Sequence, residues 1–261
     1  MSGYVQLGAV KTWYDEHGKG DPLVLLHGGL VDARWFEPNL APLVESFHVY
    51  TPERRGHGHT PDVEGPLSYQ LMTDDTVAFL ETVVGEPADL VGHSDGAIVA
   101  MLIGMQRPDL VKRLVLISGG FNKAGEAAPD AEWDVEGITQ LLGPAYGEVS
   151  PDGEEHFPVM ATKIGKLVEN EPNLEASQLG AVTARTLVMF ADDDLVTPRH
   201  MVDTFEAIPN AELAIVPGTS HFVTQEKPHL VNALLVDFLT NEPVPTVFPI
   251  RRAPDPAESP A

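Results

Sequence analysis

DLVGHSDGAIVAMLIG, residues 89–104, passes from a short apolar run to a segment of helical spacing, with Gly92, Ser94 and Gly96 at the junction. A serine thrown out on a sharp strand-to-helix turn has strained backbone angles, and the strand and helix approach so closely that flanking side chains would clash. Glycine on both flanks relieves that clash. The same residues would also suit an ordinary glycine turn, but the strand before and the helix after them favour a nucleophile.

Outward from this junction, short apolar runs recur at residues 23–26, 47–50, 114–118, 186–190 and 213–216. Segments of helical spacing lie between them at 75–84, 96–106, 201–208 and 227–239. Continuous apolar strands alternating with helices predict an α/β fold with a mostly parallel sheet covered on both faces. Two alternating stretches, residues 5–7 and 12–15, predict an antiparallel pair on its edge. From residue 121 to 180 no strand pattern is present, and the composition turns to Pro, Gly and acidic residues with weakly helical pieces such as 159–168. Sixty structureless residues do not belong inside a compact domain, so this stretch is expected to be an inserted helical lid. The core then comprises residues 1–120 and 181–241, and the Pro-rich residues 242–261 form a loose tail.

Composition narrows the chemistry. The 261 residues contain no cysteine, which removes thiolate catalysis, disulfides and cysteine-ligated zinc. A formal charge of −23 repels phosphate backbones and anionic membranes, so neither nucleic acid nor membrane is an expected partner. The chain has no long apolar run and no basic-then-apolar start, and is expected to be cytoplasmic. His57 and His59 stand two apart, but no ligand set of suitable spacing completes a metal site, and no glycine-rich pattern supports a nucleotide. No cofactor is expected.

A serine of ordinary acidity needs a base held by a third group, and open α/β sheets place such groups on loops after later strands. TLVMF runs into ADDDLVTP, offering Asp192, Asp193 and Asp194, while ELAIV runs into PGTSHF, offering His221. Together with the Ser94 junction these loops resemble the α/β-hydrolase superfamily, in which the acid stands four residues before a proline, as Asp194 does before Pro198. Asp193 is the alternative. The order Ser94, Asp194, His221 is the one this fold uses. The resemblance covers nearly the whole chain, including RRGHGHT at residues 54–60, which looks like the structural RGxGxS turn.

It implies an α/β-hydrolase fold: a mostly parallel eight-stranded sheet, helices on both faces and an inserted helical lid. It further implies an oxyanion hole made by the backbone N–H of Gly29, with Leu30 as the alternative, and of Asp95, while His27 supports the loop. GHSDG is similar to the GxSDGG elbow of biphenyl-hydrolase-like proteins, some of which receive a substrate amino group on this aspartate. The side chain of Asp95 would accordingly either bind a cationic substrate group or meet the following helix N-terminus. Phe121, Trp133, Tyr146 and Phe157 would either line a pocket under the lid or pack it.

The expected activity is cleavage of a small-molecule carboxylic ester or lactone through an acyl-enzyme. Carbon–carbon bond hydrolysis, amide cleavage, cofactor-free haloperoxidase or perhydrolase activity, and a non-catalytic receptor role are the alternatives on the same scaffold.

Overall fold

A computed structural model describes residues 1–249 of the chain. Its eight strands are β1 (Ser2–Leu7), β2 (Val10–Gly18), β3 (Asp21–Leu26), β4 (Phe47–Pro52), β5 (Ala88–His93), β6 (Val111–Ile117), β7 (Arg185–Asp193) and β8 (Ala211–Ser220). They form one sheet in the order β1-β2-β4-β3-β5-β6-β7-β8. β1 pairs antiparallel with β2, as expected of the first twenty residues; β2 also pairs antiparallel with β4, and the remaining pairs are parallel.

The apolar runs are continuous because both sheet faces are covered. Along β3, Val24 and Leu26 join one core while Leu23 and Leu25 join the other, and β6 divides in the same way between Leu114 and Leu116 and Val115 and Ile117. The first core is closed by helices α2 (Tyr69–Phe79) and α3 (Asp95–Gln106), the second by α1 (Glu37–Leu43) and α8 (Pro228–Thr240). Every residue of α3 from Asp95 to Gly104 is buried, which explains its unbroken apolar sequence.

Between β6 and β7 lie helices α4 (Val135–Gly147) and α5 (Phe157–Asn170), with no strand among them. Asp134 caps α4 by accepting from the Gly137 amide at 2.9 Å, and Tyr146 of α4 meets Phe157 of α5 edge to face at 5.2 Å. At its start the segment is tied to α6 (Pro198–Ala207), the Phe121 amide donating to His200 Nε2 at 3.0 Å, and its two ends are joined by the Leu174 amide donating to the Phe121 carbonyl at 3.0 Å. Phe121 and Phe157 are buried packing residues, while Trp133 is partly exposed and donates its indole N–H to the Ala161 carbonyl at 2.8 Å.

One expected helix shifts and two short helices go unread. The helix expected at 75–84 begins six residues earlier, because Ser68 caps it by accepting from the Leu71 amide at 3.1 Å, and residues 80–84 widen into a π turn. α1 carries two prolines and too few residues to show a period, so no helical pattern marks it in the sequence. The helix expected at 227–239 is α8, and a four-residue helix, α7 (Val223–Glu226), which no sequence pattern marks, precedes it. Residues 242–249 carry no regular structure, and the rest of the expected tail lies outside the described residues. Among the described residues, no helix is long and apolar enough to cross a membrane.

Candidate active site

Ser94 joins β5 to α3 with φ of +54° and ψ of −121°, a left-handed backbone that non-glycine residues adopt only where the surroundings over-determine it. A side chain on Gly92 would overlap the Gly96 carbonyl, and one on Gly96 would overlap the Leu26 carbonyl, so the flanking glycines are sterically required. The Ser94 amide is anchored to the Ile117 carbonyl at 2.8 Å.

His221 follows β8 and sets Nε2 at 2.9 Å from Ser94 Oγ. Its Nδ1 lies 2.8 Å from Asp194 Oδ1, which fixes the ring orientation and leaves Nε2 to accept from the serine hydroxyl. Of the three aspartates only Asp194 turns inward: its side chain is fully buried, whereas Asp192 and Asp193 are exposed and Asp192 accepts from the Thr219 amide at 3.1 Å. Burial alone would raise the Asp194 carboxyl, but the bonds from His221, from Ser118 and from the Ala191 amide outweigh it and hold the group below the usual carboxylate range.

Ser118, absent from the sequence-based candidates, sits at the end of β6 with φ of +55° and donates Oγ to Asp194 Oδ2 at 2.6 Å. The amides of Ala191 (3.1 Å) and Leu195 (2.8 Å) complete four donors on this carboxylate. Nothing in SGG after an apolar strand singles out Ser118; only its positive φ and its partner do. His93, beside the nucleophile, was also unmarked. Its Nε2 donates to the His221 carbonyl at 2.8 Å, and burial followed by the neighbouring His221 charge lowers its pKa to about 3, so the ring is neutral.

The loop after β3 lies against the elbow: a Cβ on Gly28 would stand 3.3 Å from the Cβ of Ser94, and one on Gly29 would stand 2.5 Å from Asp95 Oδ2. Leu30 continues the loop at φ of +61°. Asp95 is the first residue of α3, so its N–H is one of the free donors of the opening turn. Buried Arg54 grips the back of the loop, donating to the His27 carbonyl and, at 2.8 Å, to the Gly28 carbonyl. His27 accepts from the Arg54 amide on Nε2 at 3.2 Å and meets the Gly28 carbonyl with Nδ1 at 2.8 Å, a supporting arrangement with both ring nitrogens engaged.

The carboxylate of Asp95 is 95% enclosed. Tyr69 donates to Oδ1 at 2.8 Å, while Oδ2 has no hydrogen-bond partner among the described residues. Burial and the adjacent Asp95 charge push the Tyr69 phenol well above its ordinary value, so the tyrosine stays a donor. Burial lowers Arg54 to about 10, with Asp95 and Tyr69 acting against that fall. His57 and His59 do not converge: His57 Nδ1 meets the Arg55 carbonyl at 2.9 Å, whereas His59 pairs with the buried carboxylate of Glu53 at 3.1 Å.

The model of a family described as alpha/beta hydrolase matches residues 23–234. The chain is similar to a Mycobacterium tuberculosis protein named as the non-heme bromoperoxidase BpoC, 27% identical across 87% of this chain and 97% of that one. It is also similar to a protein of Azorhizobium caulinodans named as the carbamate hydrolase RutD, 24% identical across 90% of this chain and 97% of that one. The solved structure of an N-acyl homoserine lactone degrading enzyme superposes with a TM-score of 0.71 at 26% identity, covering 90% of this chain and all of the other.

Proposed function

Because the chain belongs to the alpha/beta hydrolase family, we propose that it is a serine hydrolase cleaving a small-molecule carboxylic ester or lactone through an acyl-enzyme on Ser94. The observation that carries the reading is the unbroken line from Ser94 Oγ through His221 to a fully buried Asp194, mounted on a positive-φ turn. A structural serine would have no reason to be held in that backbone with an imidazole nitrogen at 2.9 Å.

In this mechanism His221 Nε2 takes the Ser94 proton as Oγ attacks the carbonyl carbon. The N–H groups of Gly29 and Asp95 receive the developing oxyanion, and Arg54 keeps the loop bearing Gly29 in place through the carbonyls on its far side. His221 then gives the proton to the leaving oxygen, water resolves the acyl-enzyme, and Asp194 stays ionised throughout. The helical segment between β6 and β7 acts as the lid over this reaction.

Ester or lactone chemistry is preferred to amide or carbon–carbon cleavage because it asks least of the leaving group, and the lactone-degrading neighbour supports it. Ser94→Ala is expected to lower turnover of a reactive ester roughly 10³-fold or more. A panel of acyl esters, amino-acyl esters, lactones and amides, run on wild type and Ser94→Ala in parallel, tests the assignment; undiminished ester turnover by the variant would sink it. Peracid formation from acetate and peroxide in the same panel would point instead to perhydrolase activity. An absent fluorophosphonate adduct on Ser94 would point to a receptor.

The panel also decides the role of the Asp95 side chain. Its carboxylate already faces Tyr69 and the charge of Arg54, so an added ammonium group would leave an excess of buried positive charge. We therefore assign it a structural role at the first turn of α3, held by Tyr69 beside Arg54, with the unpartnered Oδ2 as the one feature favouring an ammonium subsite. Asp95→Asn is expected to slow cationic and neutral esters alike; a selective loss for the cationic ones would assign the carboxylate to recognition.

A further inference from the structure

Ser94 and His221 are joined a second time, through the main chain. His93 is the last residue of β5 and directly precedes Ser94, and its Nε2 donates at 2.8 Å to the main-chain carbonyl of His221. Among the described residues that carbonyl accepts no other hydrogen bond. The His93 ring is buried and walled on its faces and edge. Trp35 stacks on it at 5.0 Å and packs at 5.2 Å against Phe222, the residue after His221. On the loop after β3, a Cβ on Gly28 would stand 3.1 Å from His93 Nδ1. His93 therefore touches the three segments that must meet for the reaction: the elbow, the His221 loop and the loop proposed to bear the oxyanion hole.

Asp194 and His93 hold His221 in different ways. Asp194 meets Nδ1 at 2.8 Å and so sets the rotation of the imidazole ring. It leaves the main chain behind that ring free to move. His221 lies beyond the end of β8 and before α7, so neither a strand ladder nor a helical bond fixes it. A carbonyl anchored to the residue before the nucleophile supplies the missing restraint. A displacement of about 1 Å between reacting groups lowers a rate about 10²-fold, so the restraint acts on the chemical step.

The chemistry of the anchor is also constrained. A carbonyl only accepts, so Nε2 of His93 must carry the proton, and Nδ1 is left as a buried lone pair without a partner among the described residues. A proton on Nδ1 would bury an unpaired donor and place a positive ring 5.1 Å from the ring of His221. In the proposed attack His221 itself becomes an imidazolium, and a like charge beside it would oppose that step. The anchor must therefore donate without being charged. A neutral imidazole does so, whereas a lysine or an arginine would repel the intermediate.

We propose that His93 is a positioning residue, whose uncharged Nε2–H holds the main chain of His221 at the distance from Ser94 that proton transfer requires. This role rests on His221 being the base that serves Ser94. The test compares three variants. His93→Gln carries an amide nitrogen that reaches about as far as Nε2; His93→Asn carries the same amide but falls short of the carbonyl, and His93→Leu has no donor. On a reactive acetyl ester, His93→Leu and His93→Asn are expected to lower kcat about ten- to hundredfold while KM changes less than about threefold. His93→Gln is expected to recover kcat to within about fivefold of wild type. Inactivation by a fluorophosphonate slows in proportion, since the same proton transfer accompanies its covalent step.

If the Leu variant does not fold, the Asn variant carries the comparison. Equal losses in the Gln and Asn variants, or lowered thermal midpoints with kcat unchanged, overturn the role and make His93 a packing residue. If wild type cleaves no ester and takes up no fluorophosphonate, the proposed function fails separately. The anchor is then read from the proton resonance of His221 Nδ1–H, which solvent exchange broadens when the loop opens. A resonance kept in wild type and His93→Gln but lost in His93→Asn supports it, and equal behaviour in all three overturns it.

Discussion

Ser118 Oγ, 2.6 Å from Asp194 Oδ2, shares with the Ala191 amide the oxygen that His221 does not use. A donor there makes the aspartate a weaker base and keeps its other oxygen aimed at the imidazole. Ser118→Ala is expected to lower kcat about tenfold with little change in KM. The effect should be less than additive with Asp194→Asn, as expected of residues acting through one another. A purely structural Ser118 would lower thermal stability and give additive losses in the double variant. Ser94 and His221 were legible because glycine flanks and strand ends are written in the chain. Asp194 was legible only by its distance to Pro198, since what separates it from Asp193 is burial. Ser118 was not legible, because its role depends on β6 lying next to β7.

The helical segment between β6 and β7 is fastened to the core by a compact charged tie. Asp62, in the loop after β4, receives Lys163 Nζ of α5 at 2.7 and 2.8 Å and faces His156 Nε2 at 2.9 Å. Burial would raise this carboxyl, but the bonds from Lys163 and His156 hold it below its ordinary value. Asp62→Ala leaves the Lys163 ammonium, whose side chain is only 18% exposed, with the Val63 carbonyl at 3.0 Å but without its carboxylate, at a cost of about 1–3 kcal/mol. Limited proteolysis is expected to cut within residues 121–180 sooner in the variant, while the sheet core keeps its hydrogen-exchange protection. Equal cleavage of both proteins would show that the tie does not hold the segment. The sequence marks this segment by the lack of a strand pattern, a shift to Pro, Gly and acidic residues, and the weakly helical stretch 159–168, which falls within α5. The helix α4 contains Gly137, Gly143 and Pro144, which mask its period, and only the Asp134 cap and its packing on α5 define it.

Across the whole molecule, three fully enclosed histidines set the response to acid. Burial lowers His57 from 6.5 to about 4 and His93 from 6.5 to about 3, and it takes His27 well below 6.5. Above pH 6.5 these histidines are neutral in the folded and the unfolded chain, and their contribution to stability is fully present. As pH falls below 6.5 the unfolded chain takes up protons that the folded chain refuses. Stability then falls by about 1.4 kcal/mol per pH unit for each residue until its folded pKa is reached. Buried Glu53 and Asp89, whose carboxyls burial pushes up, work in the opposite direction and soften the slope. Urea midpoints measured from pH 7 to 4 are expected to drop steeply below 6.5; a flat profile would contradict neutral burial of these rings. The charge of −23 was plain in the sequence, but the enclosure of these three among ten histidines was not, since the turns that bury them read as polar loops.

The order β5-β6-β7-β8 places Ser94, Ser118, Asp194 and His221 at the ends of four adjacent strands, although residues 94 and 221 are separated by 127 positions. Parallel neighbours cannot be closed by a tight turn, so each pairing must wait for a long loop to close. Contacts of such sequence separation form late during folding. In a refolding experiment helical ellipticity should therefore recover first. Catalytic competence should return last, as a reporter of the final docking of β8.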